Sequence, residues 1–175
     1  MYLTYQYRIK DSTTKSLLQR MGREVNFVWN YCNGIVRQRW KESRAYTDEK
    51  LLQQLTRGAS KDLELYSQSV QSTYKELLDK LKRAKKLLRF RSRKRNLYWI
   101  PFPNQAVKIH NGYCVYASHK IRFWQHRLIP PGAVFKSGSF SEDAEGKWYL
   151  NLVMDVPRQE QPHQHRHAHP AEARV

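Results

Sequence analysis

The sequence has little of what disulfide frameworks, zinc sites or membrane insertion require. Its two cysteines, Cys32 and Cys114, lie far apart, so there is no C-x-x-C pair and no zinc-ribbon pattern. No run of 18 apolar residues occurs, and residues 1–10 alternate between polar and apolar, where a signal peptide would be continuously hydrophobic. These absences predict a cytoplasmic protein without disulfides and without a membrane partner.

Recognisable catalytic patterns are also missing. There is no H-E-x-x-H, no P-loop and no G-x-S-x-G, and the 15 acidic residues form no evident pair for two magnesium ions. Four histidines alternate in the tail at His163, His165, His167 and His169, but a flexible tail offers no second layer of ligand-orienting groups. We therefore expect no enzymatic activity from this chain, no metal site and no cofactor.

Positive charge is abundant. The 175 residues contain 32 Lys and Arg against 15 Asp and Glu, a formal net charge of +17. A hydrophobic fraction of 40% is enough for a folded core of about one domain. A compact body with this charge repels itself unless a polyanion neutralises it, so nucleic acid is the expected partner. Charge alone does not separate RNA from DNA.

The first half of the chain has one strand pattern and three helix patterns. Alternation of Leu3, Tyr5, Tyr7 and Ile9 predicts a strand. Asp11-Ser12-Thr13 offers a helix N-cap, and an apolar stripe with spacings of three and four predicts a helix over 13–43. A short helix is expected from Thr47-Asp48-Glu49 to about Gly58, and a third helix over 61–88.

After Arg95, six short segments rich in aromatic and β-branched residues predict strands at 97–100, 106–109, 113–117, 121–124, 134–140 and 148–156. Asn111-Gly112 is a strong type I′ hairpin signal. We predict an α+β fold: a small β-barrel or curled sheet, interrupted after its first strand by a three-helix insertion. The expected parts are residues 1–10, the first barrel strand; 11–95, the helical insertion; 96–156, the rest of the barrel; and 157–175, a disordered tail or linker.

Basic residues are densest between Lys75 and Arg95, where eleven Lys and Arg stand against Glu76 and Asp79. If the third helix reaches Leu88, the side chains of Lys75, Lys82, Lys86 and Arg89 share one of its faces. Such an array neutralises phosphates, although a basic helix face can equally well be merely solvated. The candidate phosphate contacts are Lys75, Lys82, Arg83, Lys86, Arg89, Arg91, Arg93, Lys94 and Arg95.

A second basic cluster surrounds Trp40 near the end of the first helix. Arg37 and Lys41 are its candidate nucleic-acid contacts, together with neighbouring Arg39 and Arg44, but cations at a helix C-terminus also favour the helix dipole whatever the function. Aromatic residues alternate with charge at Phe90, Tyr98-Trp99 and Phe123-Trp124. They could stack on unpaired bases, though core positions are about twice as common for such residues.

The order of these features resembles the N-terminal half of TnpB (OrfB) proteins, the insertion-sequence transposase-associated, RNA-guided nucleases. The resemblance lies in the opening strand and long helix with Trp29-Asn30, in LYSQSVQSTYKELLDKLKRAKK, in FRSRKRNLYWIPF, and in GKWYLNLVMDV. It covers about residues 1–156. It implies a wedge domain, which is a small oligonucleotide-binding-like β-barrel, interrupted by a helical recognition domain, both contacting guide RNA and a short target-adjacent DNA motif. RNA is therefore the first expected partner and duplex DNA the second.

The same resemblance makes Ser67, Gln68 and Gln71 candidates for DNA contact, since Gln can pair with adenine and Ser can hydrogen-bond either strand. A polar exposed helix face would look the same. Family members continue into a RuvC-like nuclease domain with a four-Cys zinc ribbon, whereas this sequence ends at Val175. We therefore expect a truncated, nuclease-dead TnpB-type fragment that binds nucleic acid.

Two alternatives remain open. The chain could be one half of a split RNA-guided DNA endonuclease completed in trans by a separately encoded nuclease half. It could instead be a basic structural RNA-binding protein, in which case binding would not depend on Ser67, Gln68 or Gln71.

Overall fold

The computed structural model describes residues 1–10 and 12–157 and combines helices with antiparallel sheets, which confirms the α+β class. Its elements in chain order are β1 (Tyr2–Arg8), α1 (Ser12–Ser43), α2 (Glu49–Leu55), α3 (Ser67–Ala84), β2 (Trp99–Pro103), β3 (Val107–His110), β4 (Tyr113–Tyr116), β5 (His119–Arg122), β6 (Val134–Glu142) and β7 (Trp148–Asp155). Asp11 and the histidine tract of the tail, like all of 158–175, lie outside the described residues. The predicted division into four parts stays a prediction.

The described strands form two sheets, with the order β1-β7-β6-β2 in one and β3-β4-β5 in the other. The two sheets meet where Ile9, just after β1, pairs with Phe123, just after β5. The predicted small barrel is therefore not closed, since the described strands form two antiparallel sheets. Strand β2 stands at the edge of its sheet and contains Pro101 and Pro103, which lack the N–H groups that a further strand would need for pairing.

Strand β1 is joined to the far end of the described chain. It pairs antiparallel with β7 from Tyr2 opposite Asp155 to Arg8 opposite Tyr149. Tyr5, Tyr7 and Ile9 are buried, as the alternation predicts. The three helices therefore lie in sequence between two sheet strands, β1 and β2.

Helix α1 follows its predicted apolar stripe. Leu18, Met21, Val25, Val28 and Cys32 are all buried, because their spacings of three and four place them on one face of the helix. Gly22 lies in the same region, where a β-carbon would come within 2.7 Å of the Tyr98 ring. The close approach of α1 to the residue preceding β2 thus requires a glycine.

Helix α3 is shorter than predicted, at 67–84 rather than 61–88. Tyr66 is extended and precedes the helix, and Lys85 ends it in the left-handed region at φ 50°, donating its N–H to the Leu81 carbonyl. Leu88 therefore does not continue the helix, although it packs partly buried against the core. The predicted helical face that would unite Lys75, Lys82, Lys86 and Arg89 does not exist.

The turns agree with the sequence in position but differ in geometry. Asn111-Gly112 does connect β3 to β4, but only Gly112 has a positive φ, whereas a type I′ turn requires two such residues. Two successive positive φ values occur instead at Ala117 and Ser118, between β4 and β5. The short helix begins where the sequence predicts, and Asp48 caps α2 by accepting a hydrogen bond from the Leu51 N–H at 2.8 Å.

Candidate nucleic-acid interface

A polar stripe on α1 holds the stretch that follows α3. Asn26, Asn30, Asn33 and Arg37 are spaced by four, three and four residues, so they share a helix face. Asn30 donates from Nδ2 to the Arg91 carbonyl at 2.9 Å and accepts from the Arg91 N–H at 2.7 Å. Asn33 and Arg37 both donate to the Leu88 carbonyl, at 3.1 and 2.6 Å. The chain at 88–91 is therefore fixed to α1 by its backbone.

We call residues 85–96 the basic segment. Lys86, Arg89, Lys94 and Arg95 are exposed and make no ion pair or side-chain hydrogen bond with any described residue. Because α1 binds the backbone of the segment, these four cations are displayed on a positioned chain and stay free to contact an anion. They are the predicted contacts whose geometry suits phosphate best.

Two other arginines of the basic segment are engaged within the protein. Arg91 donates to Asn26 Oδ1 at 2.8 Å and to the Leu97 carbonyl at 3.1 Å, and burial lowers the pKa of its guanidinium. Arg93 forms a bidentate pair with Glu142, at 2.6 and 3.1 Å, and the Glu142 side chain is fully buried. These guanidinium groups hold the segment to the sheets and α1, so their predicted phosphate contacts stay predictions.

Beside the segment lies a groove of about 510 Å³ with both aromatic and cationic walls. Lys80 Nζ and Arg91 Cζ each lie 5.4 Å from the Trp29 ring centroid. The Trp29 Nε1 is buried and has no hydrogen-bond partner among the described residues. The remaining lining residues are Leu88, Arg89, Phe90, Arg95 and Asn96.

The helical cations are less available than the sequence suggests. Lys75 pairs with Glu49 at 3.3 Å, and Arg83 lies 3.7 Å from Glu76. Lys82 is exposed and unpaired within the described residues, but it lines a depression that also contains Asp48, Glu49 and Asp79. Local carboxylates therefore offset much of the positive charge of α3.

The structure places two of the three DNA-contact candidates in one groove. Ser67 and Gln71 line a groove of about 500 Å³, which we call the α2–α3 groove, together with the polar residues Lys50, Gln53, Gln54, Arg57 and Ser60 and with Val70 and Tyr74. Gln68 is half-buried beside them in sequence, and its Oε1 is buried without a hydrogen-bond partner in the described part of the chain. The α2–α3 groove thus offers amide, hydroxyl and cationic groups, the set that reads base edges and phosphates.

The second basic cluster is divided between structural and exposed positions. Arg37 bonds the Leu88 carbonyl and stands over the Phe90 ring at 5.1 Å, so it serves the basic segment. Lys41 is exposed and has no ion pair within the described residues. Among the aromatic candidates, Tyr98 and Phe123 are buried, Trp99 is half-buried, and Phe90 and Trp124 are exposed.

Asn26, Asn33 and Lys80 also belong to the candidate interface, although they are not among the residues predicted from the sequence. A signal was present, because Asn26, Asn30 and Asn33 recur at helical spacing in a helix where asparagine is otherwise unfavourable. In the described residues, no group of three His, Cys, Asp or Glu side chains could hold a metal ion. No helix in that part of the chain is both long and apolar enough to cross a membrane.

Comparisons with known proteins find similarity among solved structures. No protein-family model matches the sequence, and no curated protein matches it. Among solved structures, a Cas12f1 chain from a cryo-EM structure of a Cas12f1–sgRNA–target DNA complex matches with 15% identity and a TM-score of 0.45. The match covers 90% of this chain and 49% of that one, so the chain spans about half the length of the structure to which it is similar.

Proposed function

We propose that this chain binds nucleic acid through the basic segment, with RNA as the main ligand. The observation that carries the proposal is the display of Lys86, Arg89, Lys94 and Arg95, four unpaired cations on a backbone held by asparagines of α1. Backbone phosphates are the natural counter-charges for such an array, and the neighbouring groove adds the exposed Phe90 ring. The net charge of +17 would favour the encounter over the whole surface.

The finer proposal is that the chain is a TnpB-type transposase fragment without nuclease activity of its own. In that case guide RNA would lie along the basic segment, and duplex DNA would contact Ser67, Gln68 and Gln71. The location of Ser67 and Gln71 in the amide-rich α2–α3 groove supports this division. Incubation with DNA and RNA in the presence of Mg²⁺ should yield no cleavage products.

The experiment for the basic segment compares two charge reversals of equal size. Arg89→Glu with Lys94→Glu alters the segment, whereas Lys15→Glu with Lys61→Glu alters exposed lysines elsewhere by the same net charge. Fluorescence anisotropy with a structured RNA, repeated over a range of NaCl concentrations, measures affinity and its salt dependence. We expect the first pair to weaken binding at least tenfold and to reduce the log–log salt slope by about 2.

The matched pair should stay within about twofold of the unaltered chain. Equal losses for both pairs would show that only total charge matters, and no loss for the first pair would reject the basic segment as the site. For the DNA part, Gln71→Ala should weaken duplex DNA binding and leave RNA affinity unchanged. An equal effect on both ligands would contradict the proposed division.

A further inference from the structure

The small sheet β3-β4-β5 has a solvent-facing side that plays no part in the proposed function. Its register sets Lys108 opposite Val115 and Val115 opposite Lys120. The next row on the same face sets His110 opposite Tyr113 and Tyr113 opposite Arg122. We call this face the outer sheet surface; its polar and aromatic members are Lys108, His110, Tyr113, Lys120 and Arg122.

The opposite face of the same sheet belongs to the core. Val107, Cys114, Tyr116 and Ile121 are all buried, while Lys108, His110, Lys120 and Arg122 are exposed. Because strand side chains alternate strictly between the two faces, burial of one set leaves the other set toward solvent. The outer sheet surface is therefore a built feature of the register and not a set of scattered side chains.

Two aromatic rings form a stack in the middle of this surface. The His110 and Tyr113 rings lie 4.6 Å apart at an interplanar angle of 13°. Lys120 Nζ stands 4.1 Å from the centroid of the Tyr113 ring. The long Lys120 side chain can move aside from the ring to a phosphate, and the exposed His110 ring can extend the stack to a further flat group.

The surface continues past the edge of β5. The Lys10 N–H donates to the Arg122 carbonyl at 3.0 Å, and the Trp124 N–H donates to the Arg8 carbonyl at 2.8 Å. These bonds flank the pairing of Ile9 with Phe123, so Lys10 and Trp124 lie on the same side as Arg122. Lys10 Nζ lies 3.9 Å from the centroid of the Trp124 ring, which is 57% exposed.

The stretch of chain that supplies β3, β4, β5 and Trp124 carries charge of one sign. Residues 96–141 contain no Asp or Glu, and they include Lys108, Lys120, Arg122, Arg127 and Lys136. The cations of the outer sheet surface therefore have no acidic neighbour within their own stretch of chain. A polyanion complements such a surface, and flat rings between the cations select one with exposed bases.

We propose that the outer sheet surface binds an unpaired stretch of nucleic acid. Bases stack on the His110–Tyr113 pair and on Trp124, and backbone phosphates contact the surrounding Lys and Arg side chains. A duplex can use the cations but not the rings, because its bases are already stacked on one another. This goes beyond the proposed function, since it adds a second surface, with a different form of ligand, to the basic segment.

Photo-crosslinking of the full chain tests the location. The protein is mixed with a 15-nucleotide oligouridine that contains 4-thiouridine, and the complex is irradiated and then digested with trypsin. Cleavage releases one peptide of residues 109–120, which contains His110 and Tyr113, and another of residues 123–127, which contains Trp124. We expect nucleotide adducts on one or both of these peptides. Adducts confined to residues 85–96 would overturn the second surface while leaving the basic segment intact.

Affinity measurements test the stacking. Tyr113→Leu should weaken oligouridine binding by about tenfold and change binding of a duplex of the same length by less than twofold. Tyr2→Leu, which removes another exposed tyrosine from a strand, is the control and should leave both affinities unchanged. An equal loss of affinity for single strand and duplex, or an equal loss in the control variant, would reject base stacking on the outer sheet surface.

Two additions keep the test decisive. If Tyr113→Leu fails to fold, Lys120→Gln removes the cation over the ring without touching the core and should weaken oligouridine binding at an unchanged melting temperature. No effect of this variant on oligouridine would count against the proposal. Comparison of oligouridine with oligothymidine identifies the source of the strand: tighter RNA binding supports an RNA ligand, and tighter DNA binding supports a displaced DNA strand.

Discussion

At the scale of single residues, the structure divides one run of positive charge into two groups. Lys86, Arg89, Lys94 and Arg95 are unpaired within the described residues, whereas Arg91 and Arg93 are bound by Asn26 and Glu142. A sequence shows the sign of each charge but not its partner, because Glu142 lies 49 residues from Arg93 along the chain. The concentration of positive charge could therefore be predicted, and its availability could not.

Neighbouring cations should accordingly respond differently to truncation. Arg93→Ala leaves the buried carboxylate of Glu142 without its bidentate partner, so we expect a loss of about 1–3 kcal/mol in unfolding free energy. Lys94→Ala removes an exposed, unpaired charge and should change stability by less than about 0.5 kcal/mol while weakening RNA binding. Urea unfolding monitored by tryptophan fluorescence measures the change in stability of both variants. A smaller loss for Arg93→Ala than for Lys94→Ala would contradict the pairing.

The two buried cysteines predict how stability depends on pH. Burial raises the pKa of both the Cys32 and Cys114 thiols to about 12, from an ordinary value near 9. Above pH 9 the unfolded chain therefore loses thiol protons that the folded chain retains, so stability should be constant below pH 9 and fall as the pH rises toward 12. Burial raises the pKa of Tyr7, Tyr74 and Tyr116 as well, with the same sign.

Thermal melts between pH 7 and 10.5 measure this decline. Replacement of both cysteines by alanine should remove the part of this decline in melting temperature that begins just above pH 9, since the tyrosines ionise at higher pH. Modification by a thiol reagent at pH 8 should be slow in the folded chain and fast in urea. Rapid modification of the folded chain would show that the thiols are accessible.

At the scale of elements, α1 carries three functions on one helix: an apolar stripe for the core, an asparagine face for the basic segment, and a glycine for close packing. Two of its glycines provide a matched comparison. A β-carbon on Gly22 would come within 2.7 Å of the Tyr98 ring, whereas one on Gly34 would meet nothing within 4 Å. The same substitution should therefore have opposite effects at the two positions.

Gly34→Ala should stabilise the protein by about 0.5–1 kcal/mol, because alanine is the better helix former and has room. Gly22→Ala gains the same propensity but forces α1 away from Tyr98, and we expect a net loss of about 1–3 kcal/mol. Chemical unfolding of the two variants side by side measures the difference. Stabilisation by both would show that the helix and Tyr98 can separate without cost.

Sequence periodicity predicts the elements well but not where they end. The apolar spacing of α3 continues through Leu88, yet the helix stops at Lys85, a residue with no preference for the left-handed conformation it adopts. The turn at Ala117 and Ser118 is likewise without a glycine or asparagine signal. In both places tertiary contacts override local preference: asparagines of α1 bind the chain at 88–91, and pairing of β4 with β5 fixes the turn.

At the scale of the whole molecule, strand order could be only partly predicted. The opening strand, the helices after it and the later strands follow from alternation and spacing, but the division into two sheets depends on pairings between distant residues, such as Tyr2 with Asp155. The basic segment could be predicted because its charges are adjacent in the chain. The outer sheet surface could not be predicted as a unit, because Lys10, Lys108, Lys120 and Arg122 come together only through strand pairing.

A net charge of +17 makes salt act in opposite directions on folding and on binding. Raising NaCl from about 0.05 to 0.5 M shortens the screening length to a few ångströms and weakens the mutual repulsion of the cations. The melting temperature of the free protein should therefore rise. At low salt, bound RNA should also raise the melting temperature, because a ligand that binds the folded state stabilises that state.

Added salt also reduces the free energy gained when the bound protein releases counterions from the RNA, so the complex weakens. The melting temperatures measured with and without RNA should therefore converge as the salt concentration increases. Differential scanning fluorimetry over a salt series, with and without equimolar structured RNA, measures both trends in one experiment. At low salt, RNA should raise the melting temperature of the Arg89→Glu, Lys94→Glu variant less than it raises that of the Lys15→Glu, Lys61→Glu variant. A melting temperature of the free protein that falls with salt would mean that ion pairs such as Arg93–Glu142 outweigh the repulsion of the whole molecule.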